Sequence, residues 1–110
     1  MSPRIAIALA ALIGLASSSL AEEVATYETT LKGAVFTPAE IKVPAGKPFK
    51  IKMHNANAAP AELEGHELEI EKVAAGGSSI TVRVKALEPG KYLFVDEFQE
   101  DVAKGYVIAE

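Results

Sequence analysis

The stretch LEPGKYLFVDEFQEDVAKG, residues 87–105, decides how this chain is read. Pro89-Gly90 makes a turn, and Tyr92-Leu93-Phe94-Val95 is an apolar run bounded by turn residues, a strand that wants a core on both faces. The strand runs without a break into Asp96, Glu97, Glu100 and Asp101, in a loop that closes at Gly105. Carboxylates this dense at the end of a buried strand repel one another unless something positive sits among them. The stretch is therefore either a solvated acidic loop or a cation site. A lone carboxylate at Asp96 is expected to cost stability without a cation, so Asp96→Ala should leave the metal-free fold at least as stable. Leu87 followed by Pro-Gly-Lys-Tyr92 also has the form of a tyrosine corner, in which the hydroxyl bonds back to the backbone of an arch. That gives Tyr92 a structural role.

Outward from this stretch, short strands alternate with turn residues, the pattern of a sandwich or barrel. Tyr27–Lys32 and Ala34–Phe36 read as strands before Thr37-Pro38. Ile41 and Val43 alternate with Glu40 and Lys42 ahead of the turn Pro44-Ala-Gly-Lys47. Phe49, Ile51 and Met53 alternate with Lys50, Lys52 and His54, and Ile80, Val82 and Val84 with Thr81, Arg83 and Lys85, so each strand has one face in water. Glu62–Val73 is rich in helix formers but reads as strand, loop, strand, with Gly65 placed to absorb a change of phase between Leu63 and Leu68. Tyr106–Ala109 is the last strand.

At the N-terminus, Arg4, the apolar run Ile5–Ala16 and the small residues Ser19 and Ala21 read as a signal peptide over residues 1–21. A run of about 12 apolar residues is too short to span a bilayer. Cleavage after Ala21 leaves one domain, residues 22–110, within the usual size of a domain. The chain has no cysteine. This excludes thiolate chemistry, including a blue-copper centre, an iron–sulfur cluster and a cysteine-zinc site. The net charge of −4 argues against nucleic acid and for a cation or a basic protein face.

Catalytic motifs are sparse. Ser78 and Ser79 lie in a Gly-Gly-Ser-Ser turn, and Gly76-Gly77 precedes a strand where a phosphate loop needs a helix. What remains is acidic. One group runs Glu62, Glu64, His66, Glu67, with Glu69 and Glu71 beyond; the other is Asp96, Glu97, Gln99, Glu100 and Asp101. Carboxylate and amide oxygens suit iron(III), manganese or calcium, and an imidazole extends the range to copper(II), zinc and iron(II). Neither group has the spacing of a calcium loop. His54 falls on the polar parity of its strand and reads as an exposed or capping histidine beside Asn55.

From Val35 to Ala109 the chain resembles the cupredoxin-like domains of bacterial periplasmic iron-uptake systems. The landmarks are Phe36-Thr-Pro38, Val43-Pro-Ala-Gly-Lys47, Asn55 with Pro60-Ala-Glu62-Leu-Glu64, Glu71-Lys72-Val73, Leu87-Glu-Pro-Gly-Lys-Tyr92 and Lys104-Gly-Tyr-Val107. The resemblance implies an all-β Greek-key sandwich of about seven to eight strands. Against the blue-copper ligand pattern, Glu62 falls near the first histidine, Asp96 replaces the cysteine and Gln99 the second histidine. The iron-uptake members keep a Glu-hydrophobic-Glu motif, matched by Glu62 and Glu64, and an acidic motif matched by Asp96-Glu97-Phe98. Many carry a histidine where this chain has Gln99, which tilts the site toward oxygen ligands. The implied site is a copper or iron ion held by Glu62, Glu64 and Asp96, helped by His66, Glu97 and Gln99. The implied role is periplasmic iron acquisition beside an iron permease or a periplasmic iron-binding protein. Two alternatives stay open: a metal-free interaction module, and a ferrous iron oxidase.

Overall fold

The computed structural model describes residues 23–110, so the signal-peptide reading lies outside the described residues. Nine strands form: β1 (Thr26–Lys32), β2 (Val35–Thr37), β3 (Glu40–Val43), β4 (Phe49–Asn55), β5 (Ala61–Gly65), β6 (Ile70–Ala74), β7 (Ser79–Val84), β8 (Gly90–Asp96) and β9 (Lys104–Ala109). They build two sheets, ordered β2-β1-β4-β7 and β3-β9-β8-β5-β6. Among the described residues the count is nine, against the seven to eight that the resemblance implies, and it includes the three-residue β2 paired with β1. Two pairings are parallel, β1 with β4 and β3 with β9; the others are antiparallel. Among the described residues, no helix is long and apolar enough to cross a membrane.

Period-2 alternation decides what faces inward. β4 buries Phe49, Ile51, Met53 and Asn55 while Lys52 and His54 stay exposed. From the opposite sheet come Ile41, Val43, Leu63, Phe94 and Val107, all buried. The rings of Phe36 and Phe94 meet edge to face across the core, 5.0 Å between centroids at 79°. Tyr92 closes its corner by donating from its hydroxyl to the Glu88 carbonyl at 2.7 Å. Asn55 is fully buried, and its Nδ2 donates to the carbonyls of Ala59 at 2.8 Å and Ala74 at 3.2 Å. Its Oδ1 accepts from Asn57 N at 3.0 Å, so one side chain shapes the whole β4–β5 connection.

Glu62–Val73 is a hairpin, as the alternation implies, but the phase change falls elsewhere than expected. Gly65 stays in β5, paired with Ile70, and the left-handed residue is Glu69, with φ 58°. Gly65 is needed for space: an added Cβ would sit 2.9 Å from Leu68 Cδ1 and 3.1 Å from the Leu93 carbonyl. Leu68 folds back over this glycine and is buried, and that closure forces the turn at Glu69.

Gly105 is tightly packed against the core. A Cβ there would collide with the Phe94 ring and lie 2.9 Å from the Ala39 carbonyl, so neither side of the site can yield freely. We expect Gly105→Ala to destabilise the domain by about 2 to 3 kcal/mol through overpacking, read as a lowered urea midpoint. An unchanged midpoint would mean that Phe94 can be displaced at little cost.

Candidate metal-binding site

The residues singled out in the sequence separate into two places. At the loop end of the sandwich, β8 delivers Asp96 into a buried position, 2% exposed. Its Oδ1 accepts from Glu62 N at 2.9 Å and from Phe98 N at 3.2 Å, the latter capping the 3-10 turn Glu97–Gln99. Its Oδ2 accepts from Gln99 Nε2 at 2.9 Å, and the same amide nitrogen donates to the Gly33 carbonyl at 2.9 Å. The loop is then sealed by Ala103 N on the Gln99 carbonyl, 2.9 Å, and Asp96 N on the Ala103 carbonyl, 3.1 Å. Asp96 is therefore not the lone carboxylate that the sequence suggests. Three donors converge on it, and the expectation that its removal leaves the fold as stable is corrected. Gln99 presents its nitrogen to this hub, a donor where a ligand would present a lone pair.

The remaining residues meet on the outer face of the five-stranded sheet. β5 places Glu62 and Glu64 two apart, hence on one face. The antiparallel register sets Glu71 of β6 opposite Glu64. Glu97 follows β8 directly and reaches the same patch. Oxygen atoms of Glu62, Glu71 and Glu97 all lie within 4.8 Å of one another, close enough to share one ion. Glu64 and His66 do not join this trio but line the adjoining open cleft of about 620 Å³, together with Glu69, Glu71 and Glu97. Glu71 lies in the first acidic run of the sequence, yet its place in the site depends on the hairpin register, which the left-handed Glu69 sets. His54 is exposed on the other sheet, its Nδ1 3.0 Å from Ser79 Oγ.

The trio is electrostatically uncomfortable without a cation. The Glu62 carboxyl is held above its ordinary value of 4.5 by a hydrogen bond shared with Glu71. Desolvation and the charges of Glu97, Glu71 and Glu64 add to that rise. Glu97 is raised as well, first by desolvation and then by Glu64, Glu71 and Glu100. Three converging carboxylates make a hard-oxygen site suited to a di- or trivalent cation. A blue-copper centre does not fit this chain: the sequence has no cysteine, and the position expected to replace it accepts three hydrogen bonds.

Two measurements separate these places. Asp96→Ala strands two backbone N–H groups and should cost about 3 kcal/mol or more in chemical denaturation. Asp96→Asn keeps one acceptor oxygen and should cost less. For Glu62 the sign runs the other way. A carboxyl whose pKa is raised on folding supports stability below 4.5, and that support is lost as pH rises through the raised value. Glu62→Gln should thus melt higher than the parent at pH 7 in chelator, and the two curves should merge as pH falls below 4.5. Parallel curves across the whole range would show that no strain is stored at Glu62.

Comparison with known proteins places the whole described domain. The family model of the cupredoxin-like domain matches residues 5–109. The chain is 31% identical over 87 residues to the protein RP394 of Rickettsia prowazekii (strain Madrid E), covering 79% of this chain and 70% of that one. Among solved structures, it is similar to the metal-binding domain of the Cu(I)-exporting P-type ATPase CopA of Streptococcus pneumoniae D39. The TM-score is 0.71 at 21% identity, over 84% of this chain and 91% of that one. It is also similar to auracyanin of Roseiflexus castenholzii, with a TM-score of 0.64 at 18% identity, over 77% and 96% of the two chains. With the two-sheet architecture and a family match over nearly its full length, the chain belongs to the cupredoxin-like domain family.

Proposed function

We propose that this is an exported, periplasmic metal-binding protein that holds a copper or iron ion on its sheet face through oxygen ligands. It would serve iron acquisition beside an iron permease or a periplasmic iron-binding protein. One observation carries the metal reading: the oxygen atoms of Glu62, Glu71 and Glu97 converge within 4.8 Å of one another. A bound cation relieves the crowding of like charges, and protons compete with it for these carboxylates, so binding weakens as pH falls. Glu64 and His66, on the cleft beside the trio, are placed to complete the coordination or to hold bound water. The copper-exporting and auracyanin relatives support a metal-binding role for this fold. The iron-uptake role rests on the Glu62-Leu-Glu64 and Asp96-Glu97-Phe98 motifs. A second reading, a docking module without metal, draws on Phe98, 58% exposed beside Ala59 and Pro60 at the loop end.

Thermal melts with iron(III), copper(II), zinc and calcium test the first reading. An ion bound only by the folded state adds about 2.7 kcal/mol at a hundredfold excess over Kd, so one or two of these ions should raise the melting temperature. Glu71→Gln should weaken binding of that ion at least about tenfold, the scale on which altered ligand shells act. Any copper(II) form should be pale, because intense blue absorption requires thiolate. Equal, small shifts for all four ions in parent and variant would leave the docking module as the function.

A further inference from the structure

On the four-stranded sheet, alternation turns Thr26, Lys50 and Arg83 outward in one ladder row, Glu28, Lys52 and Thr81 in the next, and Thr30, His54 and Ser79 in a third. Lys32 extends this face at the end of β1. All are exposed except Thr30 and Lys50, which are half-buried. Across β1, β4 and β7 the face carries four cations, Lys32, Lys50, Lys52 and Arg83, against a single acid, Glu28. The chain as a whole leans the other way, with 11 Lys and Arg against 15 Asp and Glu.

The fold does not neutralise these cations. Among the described residues the one ion pair is Lys85 with Glu69, at 2.9 Å, beyond the end of β7. Lys50 and Arg83 stand directly opposite each other, an arrangement of like charges that costs stability. At the start of β4, Glu23 and Lys47 share a cleft with Arg83, and their two charges offset each other. The acids Glu62, Glu71 and Glu97 crowd on the outer side of the opposite sheet. Stacked sheets lie ~10 Å apart, beyond the Debye length of about 8 Å at physiological salt, so a surface touching the basic face is largely screened from those acids.

The make-up of the face selects its occupant. On β1, β4 and β7 no outward position is apolar or aromatic, and the exposed Val35 stands on the edge strand β2, so the face lacks the central apolar anchor of a protein–protein interface. It offers ammonium and guanidinium groups spaced among hydroxyls, which match a plane of phosphates. We propose that this face binds the surface of a bilayer containing anionic phospholipid, with Lys32, Lys50, Lys52 and Arg83 on the headgroups. Binding is peripheral and reversible, because the face has no apolar stripe to enter the acyl region. The acidic patch then looks away from the lipid. The proposal stands independently of the metal reading.

The test is sedimentation of the mature protein, in chelator and about 0.1 M salt, with vesicles of equal parts phosphatidylglycerol and phosphatidylcholine, against phosphatidylcholine alone. The parent should pellet with the anionic vesicles only, and return to the supernatant in 1 M salt, where the Debye length falls to about 3 Å. Each cation at the surface is worth about fivefold in affinity, so Lys50→Glu with Lys52→Glu should weaken binding at least about 25-fold. Lys42→Glu with Lys91→Glu makes the same change of net charge on the other sheet and should bind like the parent. Circular dichroism of both double variants confirms that they are folded. A parent that ignores the anionic vesicles, or a Lys42/Lys91 variant weakened as much as the Lys50/Lys52 variant, would overturn the proposal. Retention of the parent on immobilised polyglutamate but not on vesicles would overturn it too, and assign the face to an acidic protein.

Discussion

Everything at the loop end of this sandwich depends on one buried carboxylate. Asp96 receives the backbone N–H of β5 at Glu62, the N–H of Phe98 that starts the 3-10 turn, and the Gln99 amide that reaches on to the β1–β2 turn at Gly33. A single side chain thereby joins two strands of one sheet to the far sheet. Buried backbone donors need acceptors, and an ionised carboxylate is the strongest acceptor a side chain can supply. Asn55 does the complementary work from the facing strand, using its amide nitrogen on the carbonyls of Ala59 and Ala74. Between them these two side chains close the end of the sandwich core.

The acids that crowd one another lie on the sheet face instead. The acids whose oxygens converge there are those of Glu62 on β5, Glu71 on β6 and Glu97, the first residue after β8. Their crowding follows from pairing geometry. Residues opposite one another in an antiparallel ladder hold their Cβ atoms about 5 Å apart, so Glu64 and Glu71 are neighbours by construction, and Glu62 and Glu97 join them from the next row. Like charges in such positions cost stability.

The strands were readable because alternation on β4 and β7 has only one phase that buries Phe49, Ile51, Met53, Val82 and Val84. Tyr92 was readable because Pro89-Gly90 fixes its arch. Asp96 was not: a sequence shows a carboxylate but not the three donors aimed at it, and an acceptor and a ligand are written with the same letter. Glu71 was visible only as one acid among several. Placing it required knowing that Leu68 folds over Gly65 and forces Glu69 into the left-handed region, a packing event that no local pattern in Glu62–Val73 announces.

The parallel pairing of β3 with β9 has a consequence for the order of assembly. Glu40 lies in register with Tyr106, so a strand from the first half of the domain finds its only ladder partner at the far end of the chain. Contacts so distant in sequence form late, because the loop they close must lose its freedom first. Until Lys104–Ala109 is available, Ile41 and Val43 have nothing beside them and the five-stranded sheet lacks the strand that joins β3 to β8. The five-stranded sheet is thus completed only when the last strand of the domain is in place.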